Sequence, residues 1–107
     1  MRRLVNINDL RATIIVGKGK QIIKLADSPH YALLKGNPQP YIDYLKQAGQ
    51  PDHTLEKYQA LIDGFSLGVM EDIKCRRLGD TFLILDGFHR ACILLYKGIK
   101  WIHINIR

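Results

Sequence analysis

The chain has 107 residues, 47% of them hydrophobic, two cysteines and a formal net charge of +6. That length suits one domain with a modest core. No apolar run approaches the ~20 residues that cross a bilayer as a helix, and two cysteines without CxxC spacing exclude a zinc ribbon or a dithiol redox motif.

The start, Met1-Arg2-Arg3-Leu4-Val5-Asn6-Ile7-Asn8-Asp9, is too short in apolar residues and too broken by Asn and Asp to read as a secretory signal. A cytoplasmic protein with Cys75 and Cys92 as buried thiols is therefore expected. A sequence pI near 9.5 favours phosphate-bearing partners: a nucleotide, a phosphorylated small molecule or nucleic acid. Lys18, Lys20, Lys24, Lys35 and Lys46 are dispersed, and the sequence shows no aromatic-basic platform for a single strand.

Leu4-Val5-Asn6-Ile7 alternates as a short strand does, and Asn8-Asp9 turns it. Thr13 to Val16 is a β-branched run, and Gly17-Lys18-Gly19-Lys20 reads as a hairpin loop with Gln21 to Leu25 returning. That loop lacks Walker spacing and a following helix, which argues against a phosphate loop. Ser28 then caps a helix that Pro29 opens and Gly36 ends. Pro40 starts a second helix with Tyr41, Ile42 and Leu45 on its apolar side, ending near Gly49. Thr54 caps a third, with Leu55, Tyr58, Ala60, Leu61 and Ile62 as its stripe, ending near Gly64. Residues 26–64 thus read as a three-helix insertion between β elements. Within it Ser28 and His30, at one helix start, are candidates to contact a phosphate, against the plainer reading of a capped helix with an exposed histidine.

Phe65 to Asp72 is a connector. Ile73 to Arg77 alternates, Leu78-Gly79-Asp80 turns it, and Thr81-Phe82-Leu83-Ile84-Leu85 is the continuous apolar run of a buried strand. After Asp86-Gly87 the period changes. Phe88, Ala91, Cys92 and Leu95 form a helical stripe with His89, Arg90, Tyr96 and Lys97 on the other side, and Gly98 stops the helix. Trp101 to Ile106 alternates cleanly, with Ile102, Ile104 and Ile106 toward a core. Ending on a strand would suit a module of a longer protein.

The turn at 86–90 carries the chemistry. The amides of a first helical turn and the positive end of its dipole attract anions. Two potential cations there, His89 and Arg90, oppose that dipole unless an anion sits among them. The same residues also have a purely structural reading, with Asp86 as N-cap and Gly87 easing the turn.

Apolar strand, Asp86-Gly87-Phe88-His89-Arg90-Ala91, then Gly98 resembles the signature of the ParB/sulfiredoxin-like superfamily over roughly Ile73 to Arg107, and more loosely before it. The resemblance implies a small α+β fold that binds nucleotide phosphates with this turn. Sulfiredoxins carry a reactive cysteine where Phe88 stands, so sulfinic acid reduction is not implied. Chromosome-partition members read Gly-Glu-Arg-Arg where this chain has Gly87-Phe88-His89-Arg90, which puts CTP hydrolysis and a clamp in doubt. The wording is nearer to a subgroup that includes free-serine kinases, where the Asp and His act at the phosphoryl-transfer site. Here those are Asp86 and His89, with Arg90 on phosphate. The run Asp27-Ser28-Pro29-His30-Tyr31, followed by Tyr41 and Tyr44, is also similar to ParB-type modules encoded with surface-polysaccharide biosynthesis.

The expected architecture is α+β: a small mixed sheet of five or six strands, the three-helix insertion, and a helix after the Asp-Gly-x-His-Arg turn. Asp86 and His89 are the candidate catalytic residues. Gly87, Phe88, His89, Arg90, Ser28 and His30 are the candidate ligand-binding residues, for ATP, ADP or CTP with Mg²⁺. No metal-ligand set is legible: no second acidic residue is identifiable as a metal ligand, and Asp9 and Asp27 are no more than candidates. The alternative is a DNA-binding, protein-interaction or regulatory module without catalysis.

Overall fold

A computed structural model of the chain describes residues 1–50, 53–65 and 72–107. The expected connector falls mostly on 66–71 and lies outside the described residues. Six strands form one mixed sheet: β1 (Arg2–Asn6), β2 (Leu10–Val16), β3 (Gly19–Lys24), β4 (Ile73–Leu78), β5 (Thr81–Asp86) and β6 (Trp101–Ile106). Their spatial order is β1-β6-β4-β5-β2-β3. β1 pairs β6, β4 pairs β5 and β2 pairs β3 antiparallel, while β4 with β6 and β2 with β5 run parallel. The helices are α1 (Pro29–Leu34), α2 (Gln39–Gln47), α3 (His53–Asp63) and α4 (Phe88–Tyr96), the first three forming the insertion between β3 and β4. The fold is α+β.

Period-2 alternation decides which strand residues enter the core. Val5, Ile73, Cys75, Ile102 and Ile104 point to the helix side and pack with Ala91, Cys92 and Leu94 of α4. Phe82, Leu83 and Ile84 are buried as the apolar run predicts, but the run's last residue, Leu85, is half exposed. The register shifts between Lys74 and Cys75, so Lys74 faces Asp86 and the strand bends just before the turn. β5 holds β2 only at Leu10 and Arg11. Beyond them α2 fills the gap: Ile15 N–H donates to the Tyr44 hydroxyl, and the Gln47 amide donates to the Ile15 carbonyl.

A second cluster joins the helices to one another. Tyr41 and Leu45 of α2, Tyr58 of α3 and Ile93 of α4 are its buried members. The face of α4 that is buried is therefore wider than the expected stripe, because Ile93 serves the insertion while Ala91, Cys92 and Leu94 serve the sheet. On α3, Tyr58 is buried but Ala60 is exposed, and the helix begins at His53 with Thr54 inside its first turn rather than capping it. No helix among the described residues is long and apolar enough to cross a membrane.

Local chemistry sets the ends of α1 and α4. Tyr31 N–H donates to the Ser28 Oγ, which in turn donates to the Leu25 carbonyl at 2.7 Å. At the other end of α4, Gly98 N–H reaches the Leu95 carbonyl and Ile99 N–H the Leu94 carbonyl, a Schellman closure around a left-handed Gly98. Ser28→Ala removes the cap of a six-residue helix and should lower unfolding free energy by about 1 kcal/mol in urea denaturation. Cys75 and Cys92 are free and buried, and burial raises both thiols, to about 11 and about 12.

Candidate functional site

The turn between β5 and α4 is built around a glycine. Gly87 is the N-cap of α4 at φ +104°, and it has no side chain with which to cap. A methyl group built on it would lie 2.8 Å from Nη2 of Arg90 and 3.0 Å from Cδ1 of Ile73. The Arg90 side chain therefore folds back over the glycine, with its Nη2 3.6 Å from the Asp86 carboxylate. Asp86 is the last residue of β5, not the cap of α4, so the expected capping role is not what fixes it. The first helix bond runs from Ala91 N–H to the Gly87 carbonyl, which leaves the Phe88 and His89 amides outside the helix's own bonding.

This turn forms one wall of a cleft of about 420 Å³, lined by Asp86 to Arg90 and, opposite, by Thr54, Lys57, Tyr58 and Leu61. The opposing residues are spaced i, i+3, i+4, i+7, one face of α3. Thr54 and Lys57 are the ligand-facing residues that the sequence does not disclose: Thr54 reads there as a cap, and Lys57 lies outside the expected stripe. The available signal is the i, i+3, i+4, i+7 spacing that puts both on one face with Tyr58 and Leu61. Lys57 and Arg90 bring two cations to the cleft against one carboxylate, Asp86. The cleft volume falls in the range of small-molecule sites. A smaller depression of about 330 Å³ is lined by Asp86–His89 together with Ala12 and Thr13 of β2 and Ile84 and Leu85 of β5.

His89 does not stand on a solvated helix face. Its Nε2 lies 3.0 Å from the Tyr41 hydroxyl, and its ring meets Tyr58 edge-on at 4.5 Å. Burial lowers its pKa below the ordinary histidine value. The expectation of two cations in the first turn thus reduces to one, Arg90, with the second positive group supplied by Lys57 across the cleft. Burial also raises Tyr41, to about 12, and raises Tyr58 as well, so both hydroxyls stay protonated.

Ser28 and His30 are brought to the same region but beneath it. Ser28 is buried, its hydroxyl used by α1 and lying 3.6 Å from the Cys92 Sγ. His30 is buried too, not exposed; its ring packs 4.0 Å from Phe88 and 4.8 Å from His89, with no hydrogen-bond partner for Nδ1. Neither lines the cleft. They support the turn from below, and burial with the nearby His89 pushes His30 down to about 3. The Gly17-Lys18 turn joins β2 to β3 as a hairpin away from the site, and Asp9 and Asp27 are outside the cleft lining. Among the described residues no group of three or more His, Cys, Asp or Glu could hold a metal ion. No family model, curated protein or solved structure matches this chain.

Proposed function

We propose that the chain is a phosphate-binding domain of the ParB/sulfiredoxin-like kind, taking a nucleotide or another phosphorylated small molecule in the cleft between α3 and the β5–α4 turn. One observation carries the reading. The uncapped first turn of α4, Arg90 and Lys57 border a single cleft of ligand size. Backbone amides and a guanidinium are the donors a phosphate needs, and Lys57 answers them across the cleft. Phe88, Tyr58 and Leu61 offer apolar surface for the rest of the ligand.

Mg²⁺ would arrive with such a ligand. Asp86 is the one carboxylate lining the cleft among the described residues, and one carboxylate plus phosphate oxygens is a common way to hold that ion. Bound there, Mg²⁺ would offset phosphate charge. Binding is better supported than phosphoryl transfer. His89 is held by Tyr41 and disfavours a charge, so it brings no cation to a developing phosphoryl charge.

The test is a thermal-shift panel of ATP, ADP and CTP with Mg²⁺ on the wild type, Arg90→Ala and Lys57→Ala. A ligand of the folded state raises the melting temperature once its concentration passes Kd. At least one nucleotide should raise it, with Kd weakened about 10- to 100-fold by Arg90→Ala and several-fold by Lys57→Ala. Lys57 is exposed, so its replacement leaves the core untouched. Equal shifts in all three proteins would refute the site.

A further inference from the structure

β1 forms one edge of the sheet, and its open side has no strand partner among the described residues. Backbone bonding fixes which groups point outward there. Met1 and Ile106 exchange both bonds, at 2.7 and 3.0 Å, and Ile7 N–H donates to the Lys100 carbonyl at 2.8 Å. Residues 3 and 5, in phase with these, direct their N–H and C=O to β6. Arg2, Leu4 and Asn6 therefore turn theirs away from it. The edge carries no proline and no bulge, the usual devices that keep another strand off.

Apolar surface lies beside this edge. Leu4 and Trp101 are 52% and 60% exposed, on the face away from the helices, since each alternates with a buried residue, Val5 or Ile102. Leu4 stands opposite His103 and Asn6 opposite Trp101, so Leu4 and Trp101 are diagonal neighbours, and both border one depression.

Register and charge then select the partner strand. When a second β1 pairs antiparallel about a two-fold axis at Leu4, each Arg2 stands opposite an Asn6 and each Arg3 opposite a Val5. No arginine meets another. The outward groups mesh as well: two bonds join the Leu4 residues, and each Asn6 N–H meets an Arg2 carbonyl. Trp101 and Leu4 of one copy continue into Leu4 and Trp101 of the other as a single diagonal row. The opposite edge, β3, does not allow this. Pairing two copies about its exposed centre, Ile22, sets Lys20 against Lys24 on both sides of the axis, and like charges directly opposite weaken a sheet.

We propose that the chain forms a two-fold dimer through β1, joining two six-stranded sheets into one with Leu4 at the axis. The contact is self-complementary, so it closes at two copies.

Sedimentation velocity in about 0.15 M salt, which screens two chains of charge +6, should show the mass rising from 12.3 kDa toward twice that as protein approaches about 100 µM. Emission of Trp101, the one tryptophan, should move to the blue over the same range. Leu4→Lys sets two lysines against each other and should weaken the dimer at least about tenfold. Leu4 is half exposed, so the fold survives, as circular dichroism checks. Leu4→Cys tests the register: directly opposed residues of such a pair have Cα atoms about 5.5 Å apart, within disulfide reach. Mild oxidation should link two chains through it faster than through Ile22→Cys on β3. A monomer at about 100 µM would overturn the proposal. So would a dimer lost with Ile22→Lys but kept with Leu4→Lys, or cross-linking through Ile22→Cys as fast as through Leu4→Cys.

Discussion

Gly87→Ala should destabilise the protein by about 2–3 kcal/mol and remove phosphate binding with it. The residue sits at φ +104°, a conformation side chains rarely adopt. Its methyl would also press on Arg90 Nη2 at 2.8 Å and on the buried Ile73 at 3.0 Å. Arg90 can swing away, but only by leaving the position in which it borders the cleft. Gly98 supplies the comparison. It too has positive φ, at +82°, yet nothing lies within 4 Å of its built methyl, so Gly98→Ala should cost only about 1 kcal/mol and spare binding. Urea denaturation of both variants checks the difference. Equal losses would mean that backbone strain alone matters at Gly87, and that the Arg90 contact does not.

Acid should unfold the protein earlier than its carboxylates require. His30 is held uncharged by burial, with His89 adding repulsion, and its pKa lies at about 3 against an ordinary 6.5. His89 is shifted in the same direction by burial. As pH falls below about 6.5 the unfolded chain takes up protons that the folded chain refuses, so stability is full above that value and is lost toward pH 3. For His30 alone the loss at pH 5 is about 2 kcal/mol, a large share of a small domain's margin. Carboxylates titrate mainly below this window. His30→Phe keeps an aromatic ring against Phe88, removes the unpartnered Nδ1, and should flatten the profile between pH 6.5 and 5. A denaturation series across that range measures it; an unchanged slope would show that His30 is not the group responsible.

The elements were legible because their signals are local. Ser28-Pro29 marks the start of α1, and the change from the run at Phe82–Ile84 to the period of α4 marks the turn between them. What could not be read is what depends on tertiary placement. His89 and Arg90 are adjacent and both basic in type, yet one is buried against Tyr41 and Tyr58 while the other folds over Gly87 beside Asp86. Nothing in their spacing distinguishes those outcomes. By sequence His30 is a helix-start residue, either beside a phosphate or exposed, but the insertion buries it against Phe88. Lys57 lies some thirty residues before the turn it faces, so only the packing of α3 reveals the pairing.

The most direct measurement is an amide NMR titration of the ¹⁵N-labelled protein with ADP and Mg²⁺. Phosphate seated at the turn should move the Phe88 and His89 resonances first and furthest, with Lys57 and Tyr58 following as the rest of the ligand meets α3. Shifts confined to other surfaces, or none at millimolar ADP, would contradict a phosphate cleft at the β5–α4 turn.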